Sequence, residues 1–210
     1  MKKTKSLSDK LKSLTNNGIR AKIKNAKSWF TDKIKGKKKG NSWFFSIIKK
    51  GGADKSSRDK FTFHSLPRIG FMYFYIYDPK WKKVLKYYDT FPLVIPIGYT
   101  DNGFLGLNFH YLPNLLRAKL LDELLKLKSK TIDRGKNEDY IKISYQLLQS
   151  LKGTPYQPTI KRYLWSHVRS NFVQVDFDEW EIVVFLPVEQ FKKADKREVW
   201  KDSRAMVKNS

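Results

Sequence analysis

The sequence contains no cysteine, which excludes a disulfide framework, a thiolate zinc site and a cysteine nucleophile. Acidic residues are scarce, with 20 Asp+Glu against 43 Lys+Arg and a formal net charge of +23 over 210 residues. That excess is far beyond what solubility requires, so the chain is built for a partner of opposite sign. Histidine is limited to His64, His110 and His167, far apart in the chain, and each reads as a structural histidine rather than a metal ligand. Long apolar runs are missing too. The stretch Trp43 to Ile48 falls well short of the ~20 residues that cross a bilayer. The N-terminus shows no apolar secretory core followed by a small-residue cleavage site. The expectation is a soluble protein that is not exported, compatible with a reducing compartment.

There is no Walker loop and no paired-glycine nucleotide fingerprint. The nearest approach to a cation site is Asp176-Phe177-Asp178-Glu179, but adjacent acids ahead of an apolar run more often cap a turn. The sequence therefore assigns no catalytic residue, no metal and no cofactor.

What the chain does have is 40% hydrophobic and 15% aromatic residues, enough for one sizeable core with an appendage. Charge divides it near residue 60, because residues 1–60 hold 19 of the 43 basic residues but only 4 of the 20 acidic ones. The expected organisation is a lysine-rich arm over 1–60 and a core domain over 61–210. Within the arm, Leu7, Leu11 and Leu14 form one helical stripe and Ile19, Ile23, Ala26, Phe30 and Ile34 another. The run Gly36-Lys37-Lys38-Lys39-Gly40 and residues 51–57 read as flexible connections.

From Phe71 to Tyr77 an aromatic run ending at Asp78-Pro79 predicts a strand. Leu93 to Ile95 and Phe104 to Phe109 predict two more. A helix is expected from Pro113, with Leu116, Leu120 and Leu124 inward, and another from Asn137 to Leu151, stopped by Gly153. A third is expected from Pro158, stacking Lys161, Trp165 and Arg169 at four-residue spacing. Phe172 to Val175 and Glu181 to Leu186 read as strands, and a last helix capped by Asp195 closes the chain. The fold class is α+β. A small mixed or antiparallel sheet with several packed helices is preceded by a basic helical or flexible N-terminal arm.

Three basic elements point to nucleic acid: the arm with Lys37, Lys38 and Lys39; the face of Lys161, Arg162, Trp165 and Arg169; and the terminal-helix ridge of Arg197, Lys201, Arg204 and Lys208. Each can neutralise phosphates by releasing counterions, which gives steep salt dependence and little sequence preference. Any one alone reads equally well as a solvated helix face. Trp165 is placed to stack on an exposed base. No base-reading motif is evident. A lysine-rich amphipathic arm can also lie on an anionic membrane, but its apolar stripe is narrow and no membrane partner is expected.

The residues Tyr77-Asp78-Pro79-Lys80, Tyr87-Tyr88-Asp89-Thr90-Phe91-Pro92-Leu93 and Gly103 to Leu112 form a distinctive series. It continues through Leu115-Leu116-Arg117, Ile143-Ser144-Tyr145, Lys161 to Leu164, Ser166-His167-Val168-Arg169, Glu179-Trp180 and Trp200 to Arg204. Over about residues 71–204 this resembles the DNA end protector proteins of large contractile-tailed bacteriophages. The resemblance leaves residues 1–60 without a counterpart. It implies a non-enzymatic virion protein of the phage head, present in the host cytoplasm during infection. Such a protein would bind the double-stranded ends of the packaged genome, shield them from host exonuclease and act in head completion beside portal or neck proteins. The alternative is a structural subunit of head, neck or baseplate whose charge meets DNA or an acidic partner. A metal-dependent nuclease using Asp176 and Asp178 is a third reading.

Overall fold

Alternation of side chains along short aromatic strands gives this chain a sheet with two buried faces. The computed structural model describes residues 6–34, 62–64, 66–133, 136–141, 143–150 and 155–208. Helices α1 (Leu7–Lys12) and α2 (Asn16–Ile34) come first, followed by strands β1 (Thr62–His64), β2 (Met72–Phe74), β3 (Tyr88–Asp89), β4 (Leu93–Thr100) and β5 (Gly103–Asn108). Then come α3 (Asn114–Lys126), β6 (Lys128–Asp133), β7 (Lys136–Ile141), α4 (Tyr145–Ser150), β8 (Ile160–Leu164) and β9 (Phe172–Val175). Helix α5 (Trp180–Val183), β10 (Phe191–Lys192) and α6 (Lys196–Lys208) complete the order. Six strands make one sheet in the order β1-β9-β2-β4-β5-β8, with every neighbouring pair antiparallel. The α+β expectation holds.

One face of the sheet meets helices. Met72, Phe74, Leu93, Ile95 and Leu107 pack in one core with Ala118, Leu120, Leu121 and Leu124 of α3. Leu7, Leu11, Ala26 and Phe30 join the same core, so the apolar stripes of residues 6–34 have a partner. The first turn of α1 is fixed to α3 by Asp122, whose two carboxylate oxygens accept from the Leu7 and Ser8 amides at 2.8 Å each. This is a favourable place for a negative charge, because a helix N-terminus carries unpaired amides and positive dipole. Lys37, Lys38, Lys39 and residues 51–57 lie outside the described residues.

The other face is aromatic. Tyr73, Tyr75, Tyr77, Phe104, Tyr163 and Phe172 form a second cluster, in which Phe104 stacks on Tyr163 with centroids 5.2 Å apart.

Three sequence expectations are corrected. The helix expected from Pro158 is strand β8, because Ile160 to Leu164 pair with Leu107 to Gly103 along the sheet edge and that ladder overrides the helical spacing. Pro158 lies in the 3-10 turn Gln157–Thr159. The helix expected over 137–151 is divided between β7, paired with β6, and the short α4. The strand expected at 181–186 is instead α5 and the turn after it. Val183 to Leu186 are all buried, and a fully apolar run carries no periodicity to separate strand from helix.

Strands β5 and β8 approach closely only because Gly103 has no side chain: a Cβ there would meet the Tyr163 carbonyl oxygen at 1.8 Å. A Cβ on Gly98 would meet nothing within 4 Å. Gly103→Ala is expected to lose about 2–3 kcal/mol in urea unfolding through overpacking. Gly98→Ala is expected to stay within about 0.5 kcal/mol of the parent.

Candidate nucleic-acid interface

The basic ridge rests on α6. Asp195 caps this helix, its Oδ1 accepting from the Arg197 and Glu198 amides at 2.7 and 3.0 Å. Val199 and Ser203 face the protein, while Arg197, Lys201, Arg204 and Lys208 are exposed. None of these four forms an ion pair with a carboxylate among the described residues, so their charge is available to a phosphate backbone. Arg204 also borders a cleft with Ile19, Ile23 and Trp200.

The placement of α6 depends on Arg117, a fully buried arginine on α3. Its Nε donates to the Leu112 carbonyl at 2.5 Å, and its terminal nitrogens donate to the carbonyls of Val184 at 3.1 Å and His110 at 3.3 Å. Its Nη2 also donates to the Glu189 carboxylate. Trp200 of α6 lies with its ring 5.4 Å from the guanidinium, and its Nε1 donates to the same His110 carbonyl at 2.9 Å.

Beside this lies a second buried polar cluster. The Asp89 carboxylate accepts from the amides of Phe91 at 3.0 Å and Gln190 at 3.2 Å, and from Asn108 Nδ2 at 3.2 Å. It also lies 2.7 Å from His110 Nδ1. Asn108 donates again to the Tyr163 hydroxyl at 3.1 Å. The Asp89 and His110 side chains are almost wholly enclosed, so this pair fixes the backbone around it. Among the described residues no group of three or more histidines and acids is placed to hold a metal ion. Glu179 is engaged by Trp29 Nε1 at 3.1 Å.

Lys161, Arg162, Trp165 and Arg169 do not share a helical face. Lys161 and Arg162 alternate on the edge strand β8, and Trp165 starts the 3-10 turn Trp165–His167. Lys161 is largely buried, with Nζ 4.1 Å from the centre of the Tyr111 ring. Arg162 is exposed and donates to Asn102 Oδ1 at 2.9 Å. Trp165 stacks on Phe104 with centroids 4.9 Å apart, so Phe104 already occupies one side of its ring. Arg169 donates to the Ser166 carbonyl at 2.7 Å and lies 3.8 Å from Asp78. It belongs to a zip in which Asp78 and His167 exchange backbone and ring contacts at 3.0 and 2.7 Å.

Sequence reasoning missed the turn over residues 80–86, where Lys80, Lys82, Lys83 and Lys86 surround Trp81. Its signal was legible, since lysines interleaved with a tryptophan suit phosphate and base together. The turn is fastened from behind: Lys193, at φ 69, donates to the carbonyls of Lys83 and Leu85 at 2.9 Å each. Lys86 pairs with Asp202 of α6 at 2.6 Å, which joins the turn to the basic helix. Behind it opens a cavity of about 510 Å³, walled by Tyr77, Trp81, Tyr87, Tyr111, Lys161 and Tyr163 among others.

Burial lowers the Lys161 pKa from 10.5 to about 8. Its folded value thus lies below its unfolded one, so the penalty on the charged form is complete below pH 8 and is relieved as pH rises toward 10.5. The wild-type chain should therefore gain stability relative to Lys161→Met between about pH 8 and 10, measured by paired urea titrations. A pH-independent difference would contradict the burial of this ammonium.

Comparison with known proteins gives one family. The family model described as Phage T4 terminal DNA protecting protein matches residues 2–205. Searches of curated proteins and of solved structures gave no match. The family match reaches beyond residues 71–204, where the sequence motifs lie, and takes in the basic N-terminal segment that the motifs left without a counterpart. With nearly its whole length matched, and with a basic helix locked onto an α+β core, the chain belongs to the phage T4 terminal DNA protecting protein family.

Proposed function

We propose that this protein binds the double-stranded termini of the packaged linear phage genome and protects them from exonuclease by occupying them, without chemistry of its own. The observation that carries this reading is the match over residues 2–205 to a family defined by terminal DNA protection. The net charge of +23 supports it, as does the unpaired ridge on α6, because phosphate neutralisation supplies sequence-independent affinity. On this reading the protein travels with the DNA in the phage head and acts in head completion, where portal or neck proteins are its neighbours. Lys37, Lys38 and Lys39 extend its electrostatic reach, and Arg162 stands exposed at the sheet edge where a phosphate can meet it.

The test is competition at physiological salt between short linear duplex and an equal mass of closed circular DNA for labelled linear DNA. Equal mass holds the phosphate count constant and leaves ends as the variable. Linear DNA is expected to displace the label at much lower mass. Equal competition would overturn the end-directed reading and leave a basic virion subunit that contacts DNA along its length.

The ridge generates its own prediction. Arg197→Glu, Lys201→Glu and Lys208→Glu together should weaken DNA binding about tenfold or more near 0.15 M salt. They should also flatten the log–log salt slope by roughly one for each cation removed. Arg204 stays in place because it also borders the cleft against α2. These positions are exposed, so thermal unfolding should be nearly unchanged, and unaltered affinity would remove the ridge from the interface.

A further inference from the structure

The cavity behind the 80–86 turn is left unfilled by the side chains around it. At about 510 Å³ it lies within the roughly 300–1,000 Å³ of small-molecule sites. Six of its fifteen lining residues are aromatic. Burial pushes the hydroxyl pKa values of Tyr111 and Tyr163 far up and, with a contribution from Asp202, that of Tyr87 to about 12. The rings are therefore uncharged at neutral pH. The carboxylate of Asp89 also lies at the lining, but its oxygens are engaged by Phe91, Gln190, Asn108 and His110. Lys161 has no ion pair with any carboxylate among the described residues. A largely buried ammonium resting on an aromatic ring, with no counter-ion, is a place for an anion.

The mouth of the cavity adds a second feature. Trp81, which lines it, is 61% exposed, unusual for a large apolar side chain on a fastened turn. Lys80 lies 5.1 Å from the centre of the Trp81 ring. Lys80 forms no ion pair among the described residues. A stacking surface, the Lys80 cation and the largely buried Lys161 ammonium meet here within a space far too small for a duplex. A single unpaired nucleotide fits that description, with its base against aromatic rings and its phosphate on a lysine. In linear duplex DNA the nucleotide least held by stacking and pairing is the terminal one.

We propose that this cavity takes the terminal nucleotide of a DNA end, its base against Trp81 and Tyr87 and its phosphate on Lys161. This inference rests on the end-binding reading and gives it a physical discriminator: closed circular DNA offers the basic surface its phosphates but has no terminus to place in the cavity. The ends of both strands share this chemistry, so the 5′ and 3′ nucleotides are separated by experiment.

The test uses the full chain and short blunt duplexes carrying a fluorescent adenine analogue at the 5′-terminal, 3′-terminal or a central position. Binding is expected to change the fluorescence of one terminal probe, which identifies the strand, and to leave the central probe unaltered. Trp81→Ala and Lys161→Met should abolish that terminal signal and weaken end binding about tenfold, while binding to closed circular DNA is kept. Trp81 is exposed, so its truncation leaves the fold intact. Lys161→Arg, which retains the cation, should keep a terminal signal if the charge is what the phosphate meets. An end preference that survives Trp81→Ala and Lys161→Met with the terminal signal unchanged would overturn the cavity and leave the end-binding reading standing. Absence of any end preference in the wild-type chain would overturn that reading, and the cavity's role with it.

Discussion

Arg117 is the residue on which the placement of the basic surface depends. A guanidinium removed from water is stable only if its donors find acceptors and its charge a counter-ion. Here those partners come from two stretches of chain, His110 and Leu112 before the helix and Val184 and Glu189 some seventy residues on. Trp200 then covers the cluster and donates to the same His110 carbonyl. The helix bearing Arg197, Lys201, Arg204 and Lys208 is thus anchored to the centre of the molecule. Burial lends such contacts rigidity, since breaking one leaves a charge without solvent. Asp89 does the same for the other side, holding β3, the turn after β5 and the approach to β10 through one carboxylate.

Around that frame the molecule separates two tasks. On the proposed reading, exposed lysines and arginines on α6 and lysines on the 80–86 turn supply non-specific attraction to phosphate, which salt screens and which any stretch of duplex satisfies. Enclosed aromatic rings with one buried ammonium offer something a continuous duplex cannot enter. The contact between Lys86 and Asp202 ties the 80–86 turn to α6. Proteins that handle ends face strong competition from the interior of the same molecule. A shape-restricted pocket beside a charged rail is one physical answer to it.

Much of the core was legible in the sequence because its signals are local. The strand within Phe71 to Tyr77, which the sheet keeps only as Met72–Phe74, the turn before Phe104, the α3 leucine stripe and the Asp195 cap each follow from spacing within one segment. The exposed ridge on α6 was legible for the same reason. Strand β8 was not, because Ile160 to Leu164 satisfy helical and extended spacing alike, and only the ladder to Gly103 and Leu107 decides between them. That ambiguity hid the cavity. Read as a helix, the segment puts Lys161 in a solvated stripe with Arg169; as an edge strand, it turns Lys161 onto Tyr111. The role of Arg117 was equally invisible, since its acceptors lie 5 to 72 residues away. Its spacing places Arg117 on the α3 face of Leu120, Leu121 and Leu124, but nothing local names what a charge there would meet.

Stoichiometry tests the end-directed account most directly. Linear duplexes of several lengths, all at the same molar concentration of ends, would be titrated with protein and then exposed to a processive exonuclease. The account predicts that protection saturates at a fixed number of protein molecules per end, whatever the length of the duplex. Protection that requires protein in proportion to length would contradict it and show a chain that coats DNA without regard to its termini.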